Sequence, residues 1–117
     1  MYDYEYYTTR SGEKPLQDWI AGLPLHERAV IRNKIQKLSE EGLVLLRTNM
    51  LTAIGGYAGD FYELKSGQLR IGVYFDRPKN MFILLHGWRK KKQRQPEDIR
   101  EAFSRLKDYS SHREEEN

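Results

Sequence analysis

Cysteine is absent from this 117-residue chain. That excludes a disulfide framework, a cysteine zinc site and a thiol nucleophile, and it fits a reducing compartment. Long apolar runs are absent too: nothing approaches the roughly 18 consecutive apolar residues of a membrane span. The opening MYDYEYYTTR lacks the apolar core of a signal peptide. A cytoplasmic protein with no membrane segment is the expectation. A bulk charge of one sign is also lacking, because the net charge is only +3. The length suits one domain with one modest core of about two packed layers.

The distribution of charge says more than its total. Residues 60–94 hold nine basic side chains against three acids, an excess of +6, whereas residues 1–22 are acidic. The densest stretch, residues 86–95, reads His-Gly-Trp-Arg-Lys-Lys-Lys-Gln-Arg-Gln. Five cations fall within its six positions 89–94, with no acid among them. Charge sorted onto one region is the usual footprint of a polyanion such as nucleic acid.

Periodicity places this run in a fold. Tyr2, Tyr4 and Tyr6 alternate with Asp3 and Glu5, the pattern of a half-buried strand over residues 2–8. Pro15 opens a short helix with Leu16, Trp19 and Ile20 on one face, ending near Gly22. A second helix spans about residues 25–41 on Ile31, Ile35 and Leu38, with Gly42 as its stop. Residues 43–59 show no clear period and are read as a loop or helical turn against the core. Three strands follow at hairpin spacing, residues 60–65, 69–76 and 81–88. In the middle one Leu69, Ile71, Val73 and Phe75 share the core face, and Arg70, Gly72, Tyr74 and Asp76 share a polar face. Pro96, with Glu97 and Asp98, starts a last helix whose Ile99, Ala102, Phe103 and Leu106 form a docking stripe. The expected architecture is α+β: an N-terminal strand, a helix hairpin on one face of a twisted sheet, a three-strand antiparallel meander and a C-terminal helix. Residues 1–109 form the domain, and 110–117 are a charged, frayed tail.

Several segments together resemble a known family: Phe61-Tyr62-Glu63-Leu64-Lys65, Leu69-Arg70-Ile71 with Tyr74-Phe75-Asp76, Leu84-Leu85-His86-Gly87-Trp88-Arg89-Lys90-Lys91, Pro96 with Ile99-Arg100-Glu101-Ala102, and the Pro15–Trp19 helix. The chain resembles the phage-derived Gp49-like branch of HigB-type toxins in the RelE/ParE superfamily, over about residues 2–109. The resemblance implies a RelE-like fold and a type II toxin. Such a toxin is an endoribonuclease cleaving mRNA on the ribosome, neutralised by a helix-turn-helix (HigA-like) antitoxin. Lys65 stands where the family usually has arginine, Trp88 replaces a phenylalanine and Gln95 a threonine. A lysine at the first position exchanges a bidentate fork for a point charge.

RNA carries its own nucleophile, so cleavage needs proton transfer and charge stabilisation at the phosphate and no cofactor or metal. Arg70, on the polar face of the central strand and on the family's Arg-Ile motif, is the expected phosphate clamp. Hairpin pairing brings Lys65 near it. Histidine is the residue type suited to proton transfer near neutral pH, which makes His86 a candidate, although simple alternation sets it with Phe82 and Leu84. Lys91 completes the expected catalytic group. Arg89, Lys90, Lys92, Arg94 and Tyr74 are the expected RNA contacts. Glu63 reads first as a salt-bridge partner of Lys65 or Arg70, with a general base as the alternative. Two other readings stay open: a ParE-like inhibitor of DNA gyrase acting by protein binding, and a degenerate RNA-binding member of the fold.

Overall fold

The computed structural model describes residues 1–57, 59–91 and 95–116, with the backbone alone for 114–116. The elements are β1 (Asp3–Tyr6), α1 (Pro15–Ala21), α2 (Leu25–Glu41), a 3₁₀ segment (Gly42–Arg47), β2 (Leu51–Ala53), β3 (Phe61–Ser66), β4 (Leu69–Asp76), β5 (Met81–Arg89) and α3 (Pro96–Glu116). The five strands form one mixed sheet in the order β1-β5-β4-β3-β2. The meander β3–β4–β5 is antiparallel at its centre, and β1 joins β5 in parallel at one edge.

The helix hairpin forms for the reasons visible in its residues. Pro15 supplies the first helical φ of α1, and Leu16 and Ile20 bury one turn apart. Ile31, Ile35 and Leu38 bury along α2. Gly42 ends α2 at φ 63°, and a Cβ there would overlap the Tyr2 ring, so both backbone and packing require glycine. These helices pack Leu16, Ile20, Ile31, Ile35 and Leu38 onto Leu64, Ile71, Val73, Phe82 and Leu84.

The opposite face differs from the polar surface expected. It carries its own apolar cluster of Phe61, Ile83, Leu85 and Trp88 under Ile99, Ala102 and Leu106 of α3. Gly72 makes this possible: a Cβ on it would come within 2.8 Å of the Ala102 methyl. A bare position in the middle of β4 is where α3 lies flat on the sheet. The sheet is therefore covered on both faces.

Two further expectations are corrected. Residues 43–59, read as a loop or helical turn against the core, do hold such a turn, the 3₁₀ segment with Leu45 buried, but they also hold strand β2, which pairs antiparallel with β3; three residues are too few to show a period. Residues 110–117, read as a frayed tail, continue α3 to Glu116. The cause is Asp76, fully buried at the end of β4. Its Oδ2 accepts from the Tyr109 hydroxyl at 2.8 Å and from Arg113 Nη1 at 2.9 Å, and these bonds hold the last turns of α3 to the sheet.

A register shift governs the exit of β5. Val73 pairs with Leu84 and Gly72 with His86, which leaves Leu85 as an extra residue opposite the Gly72–Val73 step. Such a bulge reverses the facing of every side chain beyond it. Before it, Phe82 and Leu84 face the hairpin. After it, Gly87 faces the hairpin, against Trp19 and Leu16, and Trp88 faces α3.

Candidate active site

The bulge builds a row of side chains across three strands. Lys65 pairs with Arg70, and Arg70 with Trp88, at the roughly 4.8 Å spacing of neighbouring strands. All three face α3 and floor a cleft of about 280 Å³. Glu63 and Lys90 complete the floor, Ala53, Ile54 and Gly55 supply one group of lining residues, and Gln95 and Ile99 at the start of α3 supply another. Three cations and one acid thus share a small concavity whose remaining lining is largely apolar.

Arg70 is the most constrained of them, with 8% of its surface exposed. Its Nη1 donates to the Gly67 carbonyl at 2.7 Å and the Leu69 carbonyl at 2.9 Å. Its Nε lies 4.0 Å from Glu63 Oε2. Nη2 has no bond to a described residue, so a guanidinium anchored on one side retains donors for a ligand. The ion pair with Glu63 agrees with the sequence reading of that acid. Lys65 and Lys90 are held through their backbones, by N–H bonds to the carbonyls of Met50 (2.8 Å) and Gln68 (2.7 Å). Neither ammonium pairs with an acid among the described residues. Cations gathered without matching acids attract an anion.

The remaining expected residues are distributed elsewhere. His86 does not line the cleft. The bulge turns it away from Phe82 and Leu84 toward α3, where Nε2 lies 2.8 Å from Asp98 Oδ1. Its ring stacks on Trp88 at 5.8 Å and 22°, so it stands behind the floor. Arg89 leaves the cleft altogether. It makes two 2.7 Å bonds to Glu27 at the start of α2, on the hairpin face. That pairing holds the Glu27 carboxyl below its ordinary range and raises the guanidinium further. Lys91 is exposed outside the cleft, and its N–H donates to Gln95 Oε1 at 3.0 Å. Tyr74 sits four residues from Arg70 along β4 and packs on Tyr109, ring centroids 6.3 Å apart. Lys92 and Arg94 lie outside the described residues.

Gln95, Trp88 and the apolar Ile54 and Ile99 belong to the cleft without having been selected from sequence. Gln95 registered only as a departure from a motif, and Ile54 lies in the segment without a period. Among the described residues no group of three His, Cys, Asp or Glu is placed to hold a metal ion. No helix among them is long and apolar enough to cross a membrane.

A half-open cationic cleft at the exit of an antiparallel meander, under the start of a C-terminal helix, lies on the fold of RelE toxins. The chain superposes on the archaeal RelE–RelB complex of Pyrococcus horikoshii OT3 with TM-score 0.62 at 13% identity, over 79% of this chain and 98% of that chain. It matches the toxin–antitoxin complex RelBE2 of Mycobacterium tuberculosis with TM-score 0.58 at 16% identity, over 76% and 98%. The RelB–RelE complex of Methanococcus jannaschii matches with TM-score 0.52 at 19% identity, over 66% and 86%. Residues 18–107 match the model of the phage derived protein Gp49-like family, and the chain belongs to that family. No curated protein gives a significant match.

Proposed function

We propose that the protein is the toxin of a toxin–antitoxin pair and an endoribonuclease that cleaves mRNA on the ribosome, with the cleft as its active site. The observation that carries the reading is the convergence of Arg70, Lys65, Lys90 and Glu63 on one small cleft. The fold shared with RelE chains crystallised with RelB supports an antitoxin partner, which we take to be a helix-turn-helix protein. In the reaction the RNA 2′-hydroxyl attacks the adjacent phosphorus. The P–O5′ bond breaks and the leaving 5′-oxygen takes a proton from water, giving a 2′,3′-cyclic phosphate and a free 5′-hydroxyl. Arg70 binds the phosphate through its unspent donors, and Lys65 and Lys90 stabilise the charge that builds on the phosphorane. Glu63, on the same face as Arg70, accepts the 2′-hydroxyl proton. His86 acts indirectly, holding Trp88 and the start of α3. Lys91, exposed and next in the chain to Lys90, extends the cationic rim along the RNA.

Brief induced expression followed by primer extension on cellular mRNA tests this. Wild type is expected to arrest growth and leave discrete cuts. Arg70→Ala is expected to lose about 10²–10³ of the activity, as when an electrostatic stabiliser is removed. Glu63→Gln, nearly isosteric, is expected to lose about 10²–10⁴ in rate with RNA affinity retained. Growth arrest that survives Arg70→Ala unchanged, with mRNA intact, would instead support inhibition by protein binding.

A further inference from the structure

Gln95 is held at both ends. Its backbone carbonyl accepts from the amides of Asp98 (3.2 Å) and Ile99 (3.4 Å), opening α3. Its side-chain Oε1 accepts the Lys91 N–H at 3.0 Å. A backbone N–H only donates, so the atom facing it must be the amide oxygen, and the orientation of the side chain is chemically determined. The other amide atom, Nε2, makes no bond to a described residue, and Gln95 is one of the residues that line the cleft. A residue lining the cleft thus holds its amide oxygen to the backbone and keeps an NH₂ group that donates and never accepts.

The neighbours of that group suit one nucleotide. Lys65, Arg70 and Lys90 offer charge to a phosphate, and Ile54, Ile99 and Trp88 offer apolar surface to the flat face of a base. The volume of about 280 Å³ sits just below the ~300–1,000 Å³ of sites for larger ligands. Apolar contact alone accepts any base, since every base has a π-face. At the exocyclic group on C6 of a purine or C4 of a pyrimidine, guanine O6 and uracil O4 accept a hydrogen bond, whereas adenine N6 and cytosine N4 donate. A fixed donor pairs with the first two and leaves two donors facing each other with the others.

We infer that Gln95 is a specificity-determining residue, and that its Nε2 selects a keto base, guanine or uracil, at one position of the RNA bound in the cleft. The inference rests on the ribonuclease reading of the same cleft. It goes further by naming the substrate feature recognised and the residue that recognises it.

Mapping all 5′ ends of cellular RNA after a short pulse of wild type, Gln95→Glu and Gln95→Met tests it. Glutamate keeps an oxygen for the Lys91 N–H and exchanges the donor for an acceptor. Methionine keeps the length and removes both. Wild-type cuts are expected to favour guanine or uracil by about tenfold at one fixed position, the discrimination of a single base-edge contact. Gln95→Glu is expected to shift that position toward adenine and cytosine and Gln95→Met to flatten it, with other positions unchanged. A uniform fall in cutting with the same base profile in both variants would overturn the inference, reducing Gln95 to a structural residue. So would wild-type cutting without base preference, and either result leaves the ribonuclease reading standing. Wild type that cuts no RNA would overturn that reading and this inference together.

Discussion

Arg89 and Lys90 are adjacent in the chain and serve opposite faces of the sheet. Arg89 is bound to Glu27 on the hairpin side, and Lys90 lines the cleft on the α3 side. The Leu85 bulge sets this assignment, because it reverses the phase of the last residues of β5. Substitution of the two therefore separates binding from scaffolding. Lys90→Ala is expected to lower RNA cleavage about tenfold or more. Arg89→Ala is expected to change it less than twofold by the same reasoning, with only a small fall in thermal midpoint, since exposed ion pairs contribute little. Parallel cleavage and melting assays give both numbers, and equal cleavage loss in the two variants would contradict the assignment.

His86 holds Asp98 at 2.8 Å, and that contact connects the end of the sheet to the start of α3. Glutamine at this position retains a donor for Asp98 but has no titrating ring. His86→Gln is expected to keep cleavage within about threefold of wild type, far short of the ~10²–10⁴ lost with a general acid or base. His86→Ala is expected to lose about 0.5–1.5 kcal/mol of stability, a typical hydrogen-bond contribution. A pH–rate profile that loses a limb in His86→Gln, at unchanged melting temperature, would make the histidine a proton-transfer group instead.

Asp76 depends on the end of α3. Deleting residues 110–117 removes Arg113 and leaves the buried carboxylate with Tyr109 as its side-chain partner. An under-satisfied buried charged group costs about 1–3 kcal/mol or more, so the truncated chain is expected to melt at a lower temperature. Urea unfolding of the two chains measures this. Identical midpoints would show that the last turns of α3 add nothing to the fold.

The Tyr62 hydroxyl donates to Asp60 at 2.7 Å, and Arg77 bonds both oxygens of the same carboxylate. Burial and the neighbouring carboxylate push the tyrosine up to about 12. Its raised folded value means that its stabilising contribution is complete below pH 10 and is lost as pH rises toward about 12. Arg77 lowers the Asp60 carboxyl, so that contribution is present above pH 3.8 and lost on further acidification. The melting gap between wild type and Tyr62→Phe is expected to be constant from about pH 5 to 9 and to narrow outside that window. Circular dichroism melts across pH measure it, and a gap that widens above pH 10 would reverse the sign.

Local signals were legible wherever one face of an element is apolar and the other is not. Pro15 and Gly42 bracketed the helix hairpin, and Leu69, Ile71, Val73 and Phe75 marked β4, because burial imposes its period on composition. Arg70 and Lys65 were legible as neighbours because a short turn leaves little freedom in hairpin register. What failed to show was contact between distant segments. The second apolar cluster joins Tyr7, Phe61, Leu85 and Leu106, and only the docking of α3 onto Gly72 brings them together. Asp76 read as polar surface because its partners lie 33 and 37 residues later.

The sequence by itself determined the class of fold, the order of its elements, the basic character of one end and the candidacy of Arg70. Only the tertiary structure decided which basic residues share the cleft. Phe82-Ile83-Leu84-Leu85 is apolar at every position, so an extra residue within it leaves no trace in the pattern, and both strand phases bury equally well. Pairing with β4 resolves the phase. Through it, Lys90 and Trp88 face the cleft, Arg89 goes to Glu27, and His86 goes to Asp98.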